Sequence, residues 1–320
     1  MPVADLERLD PYDSLYISPH GDDVALSCPA RILSETRRGL KALVVGLFAG
    51  PGAEGRDSSD VPRALARLGA DYVAAGFPAA SGRYASDASF RSLAYHRRPE
   101  DEDWLDRATR LLNDLGPRTR ALHVYAPLGV GGHIDHRLSH EAALRVFAGK
   151  PGRNVFFYEE CPEAFVPGAV RVRLGVLGAR LPPGAVHAAR RAGLARYLLR
   201  FHIAPSMRGE FQGWGDRLRS TGPAARQWRE ARGWNPQRAF GPRFQPIVHA
   251  AGEEALPALR EVAAATFPAG PRRARLTHRF TRLAAAYAQR LGASPHGERY
   301  WLLLPYPDDA SAPATAVGQD

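Results

Sequence analysis

The sequence predicts an α/β protein, and three observations support this fold class. First, short β-rich runs alternate with amphipathic helical runs through the amino-terminal half of the 320-residue chain. Second, the first helical run has Pro29 near its start and Gly39 at its end, which is the polarity that helices prefer. Third, 45% of the residues are hydrophobic, which leaves ample material for a buried core. Alternation at this spacing predicts a Rossmann-like, mostly parallel sheet with helices on both faces.

The amino-terminal elements are predicted in the order strand, loop, helix, strand. "SLYISP" (14–19) is a β-rich run that ends in Pro, and "KALVVGLFAG" (41–50) is a longer one that ends in Gly. "CPARILSETRRGL" (28–40) is the predicted helix between them, so residues 20–27 are the predicted loop. Further helices are predicted at 61–70, 101–116 and 136–149, and further strands at 71–77, 121–127 and 154–160.

The regular alternation weakens after about residue 163. "VRVRLGVL" (170–177) is compatible with a strand, whereas 185–202 has the pattern of a basic amphipathic helix. A further helix is predicted at 279–291. We expect a single domain over residues 1–308 and a disordered tail at 309–320.

An irregular insertion is predicted at residues 205–270. Its first part, 205–246, is rich in Arg, Gly and Pro and contains three tryptophans: Trp214, Trp228 and Trp234. Trp faces stack on sugars and Arg forks bind phosphates or carboxylates, so the segment could be a lid that selects substrate. The alternative is an irregular extension that packs on the domain.

Composition excludes several classes of protein. Two cysteines cannot build a disulfide framework or a Cys-rich zinc ribbon, so a metal would need His and carboxylate ligands. The start of the chain has no secretory pattern and no run is long enough to cross a bilayer, so a cytoplasmic location is expected. The net charge of +10 comes almost entirely from Arg, which coding bias explains better than nucleic-acid binding does.

Two polar clusters each follow a predicted strand. "PHGDD" contains His20, Asp22 and Asp23, and "PLGVGGHIDH" contains His133, Asp135 and His136. In an open parallel sheet ligands bind at the carboxyl ends of the strands, so neighbouring strands would bring both clusters to one crevice. Alone, an Asp-Asp pair suits a helix dipole and a His-x-x-His pair is surface decoration, but two such clusters in these places are much harder to explain by chance.

The two clusters together have the residue types expected of a catalytic metal site. His20, one of Asp22 and Asp23, and one of His133 and His136 provide two imidazoles and a carboxylate, which leaves a position open for water. The remaining carboxylate and imidazole can serve as base and acid in a hydrolysis. Spacing alone does not distinguish Asp22 from Asp23, or His133 from His136.

These motifs resemble a known family. "SPHGDDVALSC" and "PLGVGGHIDHR" resemble the signatures of the PIG-L (LmbE-like) zinc-dependent N-acetylglucosaminyl deacetylases, which carry Pro-His-x-Asp-Asp in one branch and later His-x-Asp-His. The resemblance extends to "ARLGADYVAAGFP", "FYEECP" and "GERYWLL", and it spares residues 205–270. Val24 stands where much of the family has Glu, and Gly21 where it often has Pro.

The resemblance implies a role for each site residue. His20, Asp23 and His136 become the ligands of Zn²⁺, or of another divalent metal. Asp22 becomes the general base, and His133 polarises the acetyl carbonyl or protonates the leaving amine. Asp135 orients a neighbouring imidazole.

Three residues outside these clusters have open roles. Arg83 matches an Arg common in this branch, so it either contacts substrate or forms a structural salt bridge. Glu159 and Glu160 end a predicted strand at the same edge, where orienting a ligand and capping a loop are equally open roles.

The expected function is metal-dependent removal of an acetyl group from a small N-acetylated amino sugar or glycoconjugate. The alternatives are a non-catalytic glycan-binding relative and an amidase that acts on another N-acyl substrate. A dinucleotide-binding enzyme is disfavoured, because no G-x-G-x-x-G follows the first strand. Neither a membrane nor a nucleic acid is expected as a partner.

Overall fold

The fold is described from a computed structural model that covers residues 11–50, 60–84, 88–185, 197, 214–267 and 270–305. Within these residues the strands are β1 (Ser14–Ser18), β2 (Ala42–Gly46), β3 (Ala70–Ala74), β4 (His123–Pro127), β5 (Asn154–Tyr158), β6 (Phe244–Ala251) and β7 (His296–Leu303). The α-helices are α1 (Gly21–Ser27), α2 (Pro29–Thr36), α3 (Asp60–Arg67), α4 (Ala80–Arg83), α5 (Phe90–Tyr95), α6 (Glu100–Thr119), α7 (Ile134–Phe147), α8 (Ala169–Val176), α9 (Trp214–Gly233), α10 (Leu256–Thr266) and α11 (Arg273–Leu291). The predicted tail at 309–320 and nearly all of the predicted helix at 185–202 lie outside the described residues.

The described strands form one sheet in the order β3-β2-β1-β4-β5-β7-β6. β1 to β5 run parallel, and β7 pairs antiparallel with both β5 and β6. The chain proceeds from β1 to one side of the sheet through β2 and β3, and then returns to β4 on the other side. The point between β1 and β4 is therefore a topological switch point, which is where ligands bind in open α/β sheets.

Both faces of the sheet are buried, as the alternation of strands and helices predicts. Leu15 and Ile17 of β1 belong to a core shared with α6 and α7. Tyr16, between them, points into a second core shared with α2, α3 and α10. Every residue of β1 and β2 is buried, so the fold prediction of a mostly parallel sheet with helices on both faces is confirmed.

Two elements outside the predicted insertion differ from the sequence prediction. The predicted loop at 20–27 is helix α1, so the first polar cluster lies in the first turn of a helix. The predicted strand at 170–177 is largely helix α8. The alternation of apolar and basic residues in "VRVR" suggests a strand with its valines buried and its arginines exposed. In the helix, however, Arg173 is buried and Val176 is 45% exposed, so burial does not follow that alternation. Packing against α9 overrides the local preference of these β-branched residues.

The segment predicted as irregular, 205–246, contains a long helix where it is described. Ala224, Trp228 and Ala231 of α9 are buried and recur at intervals of four and three residues. This spacing puts them on one helix face, which packs on α8. Gly222, Pro223 and many Arg residues mask that stripe in the sequence.

Candidate metal centre

The candidate metal centre lies at the switch point between β1 and β4. His20 is the residue before α1, and His133 is the residue before α7, so both helices begin at the centre. The loop after β4 contains Gly129 and Gly132, which have positive φ angles of 87° and 77°. A side chain at Gly132 would also meet the carbonyl of Ala94 at 2.8 Å, so glycine lets this loop turn tightly beneath α5.

The carboxylate of Asp23 is the point where two imidazoles converge. Its Oδ2 atom lies 3.1 Å from His20 Nδ1 and 3.3 Å from His136 Nε2. Two ligands bound about 2.1 Å from a tetrahedral metal stand roughly 3.4 Å apart, so these separations suit one shared ion. All three side chains are at most 3% exposed. The donor set fits a divalent metal.

Asp135 holds the other side of the His20 ring. Its Oδ2 atom lies 3.0 Å from His20 Nε2 and accepts a hydrogen bond from the Ala80 amide at 2.9 Å. Burial alone would raise the pKa of Asp135, but the hydrogen bond with His20 and the charge of Arg83 lower that pKa well below its usual range. An ionised Asp135 fixes the proton on Nε2, so the Nδ1 lone pair of His20 faces the carboxylate of Asp23.

Glu160 holds the His136 ring in the corresponding way. Its Oε1 atom lies 3.1 Å from His136 Nδ1. Burial would lower the pKa of His136, but the Asp23 carboxylate and the hydrogen bond with Glu160 outweigh burial and raise that pKa. With the Nδ1 proton on the Glu160 side, His136 presents its Nε2 lone pair toward Asp23.

A second group of three residues also lies close enough to hold an ion, namely His20, His133 and Asp135. It shares His20 with the first group, and a neutral imidazole has one free lone pair. Arg83 donates a hydrogen bond of 2.7 Å to Asp135 Oδ1, while His20 and Ala80 occupy Oδ2. These contacts use the oxygens of Asp135, so the group centred on Asp23 is the better metal site.

His133 and Asp22 border the group centred on Asp23. The His133 ring lies 5.2 Å from the His20 ring and 5.4 Å from the His136 ring, centroid to centroid. Its Nδ1 atom accepts a hydrogen bond from the Asp135 amide at 3.3 Å, which leaves Nε2 to carry the proton of a neutral ring. The His133 side chain is 12% exposed, more than those of the other two imidazoles, although its Nε2 atom is itself buried.

Asp22 lies in the first turn of α1, directly before Asp23, and is 6% exposed. The structure therefore brings all six predicted residues of the two motifs to one edge of the sheet. Their individual catalytic and ligand roles stay predictions.

Arg83 lies beneath the centre. Its side chain is 4% exposed and forms ion pairs with Asp135 at 2.7 Å and with Asp101 at 3.1 Å. Asp101 also accepts a hydrogen bond of 2.6 Å from the Tyr84 hydroxyl, so a buried carboxylate holds the guanidinium from behind. These contacts favour the salt-bridge interpretation of Arg83. Direct contact between Arg83 and substrate stays a prediction.

The two consecutive glutamates at the end of β5 have different partners. Glu160 orients His136, whereas Glu159 accepts hydrogen bonds from Arg299 at 2.7 Å and from Trp301 at 2.8 Å. Glu159 also accepts a hydrogen bond from Tyr287 of α11. It therefore anchors the carboxyl-terminal elements to the sheet. Asp101 is not among the site residues that the sequence predicts, because it has the pattern of an ordinary acidic residue in the first turn of a helix.

The tryptophans of the insertion pack into the domain where their side chains are described. Trp228 is 6% exposed and stacks on Tyr197 with ring centroids 5.2 Å apart. Trp234 donates a hydrogen bond of 3.0 Å from Nε1 to the Ala179 carbonyl. The side chain of Trp214 and residues 205–213 lie outside the described residues. These contacts favour an extension packed on the domain, and the function of a lid stays a prediction.

Comparisons with known proteins identify deacetylases. A curated 2'-N-acetylparomamine deacetylase from Streptomyces fradiae is 32% identical over 195 residues, which cover 54% of this chain and 66% of that protein, just under two thirds of its length. The crystal structure of the A40926 pseudoaglycone deacetylase Dbv21 has a TM-score of 0.54 at 17% identity and covers 94% of this chain and 100% of that chain. The crystal structure of the zinc inhibited form of the teicoplanin deacetylase Orf2 has a TM-score of 0.54 at 17% identity. The match covers 93% of this chain and 99% of that chain.

At these identities the solved structures show a shared fold, while the curated relative shows shared sequence. No protein-family model matches the chain. Together the relative and the shared fold confirm the resemblance to PIG-L (LmbE-like) deacetylases that the sequence motifs indicate. No helix of the described residues combines the length and the apolar character that a membrane crossing requires.

Proposed function

Because this chain resembles the PIG-L (LmbE-like) deacetylases in motifs and in fold, we propose that it is a metal-dependent N-deacetylase. It removes the acetyl group from an N-acetylated amino sugar or its conjugate and releases acetate and a free amine. The observation that supports this proposal is the convergence of two carboxylate-oriented imidazoles on the oxygen of Asp23. The relative that acts on 2'-N-acetylparomamine supports the choice of an amino-sugar substrate.

His20, Asp23 and His136 would hold the metal, and zinc is the proposed ion. When bound, zinc supplies a Lewis acid and lowers the pKa of a coordinated water to about 7. Asp135 and Glu160 keep the two ligand imidazoles in the tautomers that offer a lone pair toward Asp23.

The remaining motif residues move the protons of the reaction. Asp22 accepts a proton from the attacking water, whose oxygen bonds to the acetyl carbon. Neutral His133 polarises the acetyl carbonyl through a hydrogen bond donated from Nε2 to the acetyl oxygen, since its Nδ1 atom already accepts the Asp135 amide. As the C–N bond breaks, Asp22 passes the proton it took from water to the nitrogen, which leaves as an amine, and the acyl group leaves as acetic acid, which ionises to acetate.

The amino ends of α1 and α7 favour this chemistry. Each helix begins at a histidine of the centre and presents the positive end of its dipole there. Positive potential stabilises the negative charge that develops on the acetyl oxygen as water adds.

The test is an assay of amine and acetate release. Protein stripped with a chelator is reloaded with graded amounts of zinc or cobalt and incubated with a panel of N-acetylated amino sugars and glycoconjugates. We expect at least one to release equal amounts of free amine and acetate. The matched variant Asp22→Asn should retain the metal but lose roughly 10²–10⁴-fold in kcat, because the base is removed while the ligands remain.

Three outcomes would contradict the proposal. Binding of a glycan without hydrolysis would favour a non-catalytic relative. Hydrolysis confined to other N-acyl compounds in the panel would favour an amidase of different specificity. Full activity of Asp22→Asn would remove Asp22 from the mechanism.

A further inference from the structure

Buried side chains contact the backbone amides and carbonyls of consecutive residues in the loop that connects β4 to the metal centre. We name residues 127–133 the metal-site loop, since the loop ends at His133 and leads into the helix of His136. On its amide side, Glu160 accepts hydrogen bonds from Gly129 N at 2.6 Å and from Val130 N at 3.0 Å. The same carboxylate orients His136, so the path of the loop and the orientation of that imidazole are coupled.

On its carbonyl side the metal-site loop is held by two further buried residues. His140 Nδ1 lies 2.9 Å from the Pro127 carbonyl. Arg173 donates a hydrogen bond of 2.8 Å from Nε to the Leu128 carbonyl. Four consecutive residues, 127–130, therefore each have a backbone group bound by a side chain that comes from outside the loop.

Arg173, like His140, is a member of this set that the proposed chemistry does not use. It belongs to α8, which lies outside both sequence motifs, and it is only 8% exposed. Its guanidinium occupies the space beside Gly129, where a Cβ atom would lie 2.8 Å from both Nε and Nη2. The loop and the guanidinium are thus in direct contact at two consecutive residues.

Burying this cation is costly, and no neighbouring anion removes the cost fully. Burial and the charge of Arg137 lower the pKa of Arg173 to about 10, although Glu160 opposes that shift. Among the residues that the structure describes, the polar partner of the Arg173 guanidinium is the Leu128 carbonyl rather than a carboxylate. A buried guanidinium that remains charged at neutral pH and binds a carbonyl by a charge-assisted hydrogen bond fixes that carbonyl firmly.

We propose that Arg173 is a positioning residue that fixes the metal-site loop so that His136 is presented to the metal. This inference rests on the proposed metal-dependent function, but it concerns metal binding rather than turnover. Arg173 acts through the loop and through Glu160, and it does not itself touch the metal or the reacting atoms.

The test compares Arg173→Met with the parent, using the full chain. Both are stripped of metal and titrated with Co²⁺ against a competing chelator, and the visible absorption of the Co²⁺ complex is recorded. We expect Arg173→Met to bind Co²⁺ roughly 10–100-fold more weakly, with an altered absorption spectrum, which is the usual effect of losing a residue that orients ligands. In a deacetylase assay kcat should fall while KM stays close to that of the parent.

Two further variants control this comparison. Arg171→Met removes another cation of α8, whose guanidinium lies 5.4 Å from the centre of the Trp234 ring, and it should leave Co²⁺ affinity and spectrum unchanged. Arg173→Lys should restore part of the affinity, because Lys keeps the charge and hydrogen-bond donors but not the planar fork. If Arg173→Met fails to fold, Arg173→Lys carries the test, with Co²⁺ binding still weaker than that of the parent.

Co²⁺ affinity and spectrum equal to those of the parent would overturn the proposal, in Arg173→Met or, if that variant is unfolded, in Arg173→Lys. Equal weakening in Arg171→Met would also overturn it, since any loss of charge on α8 would then suffice. A parent that binds Co²⁺ but deacetylates nothing would instead overturn the proposed function and leave this comparison intact.

Discussion

The two buried imidazoles of the metal centre are alike on one side and different on the other. His20 and His136 both direct one ring nitrogen at Asp23 Oδ2, and both have the other nitrogen beside a buried carboxylate. Behind His20, that carboxylate is Asp135. Behind His136, it is Glu160. Each ligand imidazole is therefore oriented by a buried carboxylate, but the two carboxylates come from different parts of the chain.

The difference lies in what holds each carboxylate. Asp135 is bound by the guanidinium of Arg83, which is itself held by Asp101. Glu160 is bound by two backbone amides of the metal-site loop, and no Lys or Arg lies within 4 Å of it in the described part of the chain. The first support balances charge, whereas the second couples the imidazole to the path of the backbone. Substituting either carboxylate should weaken metal binding, but the two substitutions should differ in their effect on the free energy of unfolding.

The largest loss of metal binding is expected at Asp23, which faces both imidazoles. Asp23→Ala removes the oxygen toward which both imidazoles point, so it should abolish stoichiometric zinc binding and, with it, turnover. The loss of affinity should exceed the roughly 10–100-fold expected for an orienting partner. Elemental analysis of the purified, dialysed protein measures this. One zinc per chain in Asp23→Ala would show that the metal site lies elsewhere.

The next largest effects distinguish Asp135 from Glu160, the carboxylates that orient the two imidazoles. Asp135→Asn and Glu160→Gln should each weaken metal binding by about 10–100-fold. Only Asp135→Asn also deprives the buried guanidinium of Arg83 of a charged acceptor, so the free energy of unfolding of its metal-free form should fall by about 2 kcal/mol more. Chelator competition measures the first quantity, and urea unfolding of metal-free protein measures the second.

The matched control for these substitutions is Asp106→Asn. Asp106 pairs with Arg145 at 3.0 Å, but both side chains are about half exposed, so the loss should be well under 1 kcal/mol. Equal loss of stability in Asp135→Asn and Glu160→Gln would contradict the distinction between a charge-balanced and a backbone-bound carboxylate.

The smallest effect is the pH dependence of stability that arises from His140, whose Nδ1 atom contacts the metal-site loop on the His136 side of the centre. Burial and the charge of Arg173 lower the pKa of His140 to about 3, although the Pro127 carbonyl opposes that shift. The unfolded chain, with a His pKa near 6.5, therefore binds a proton between about pH 6.5 and pH 3 that the folded protein does not bind. Stability from neutral His140 is full above pH 6.5 and is lost progressively as the pH falls toward 3.

His140→Asn should weaken this acid sensitivity while keeping an amide donor for Pro127. Between pH 7 and pH 5.5 the free energy of unfolding of the metal-free parent should fall by about 1 kcal/mol more than that of the variant. Urea unfolding at the two pH values measures the difference. Parallel pH dependences would show that His140 does not titrate as its surroundings indicate.

Much of the amino-terminal half could be predicted from local patterns. The strands before His20 and His133 are short β-rich runs that end in Pro, and burial on both faces gives them continuous apolar character. The elements after residue 163 could not be predicted in the same way. The helix that contains Arg173 looks locally like a strand, and its helical state depends on packing against a partner distant in sequence.

The sequence by itself determined the parallel fold, the two polar clusters and their position after two strands. Those features depend on residue types and on spacing along the chain, which are local. Spacing alone left open which of Asp22 and Asp23 meets the imidazoles, and the family resemblance chose Asp23; in the tertiary structure Asp23 faces both imidazoles, and Glu160 rather than Glu159 orients His136. The tertiary structure also decided that Arg83 is buried against Asp135 and that Arg173 is buried against the metal-site loop. Neighbouring carboxylates have the same chemistry, and only the direction of each side chain in the folded core distinguishes them.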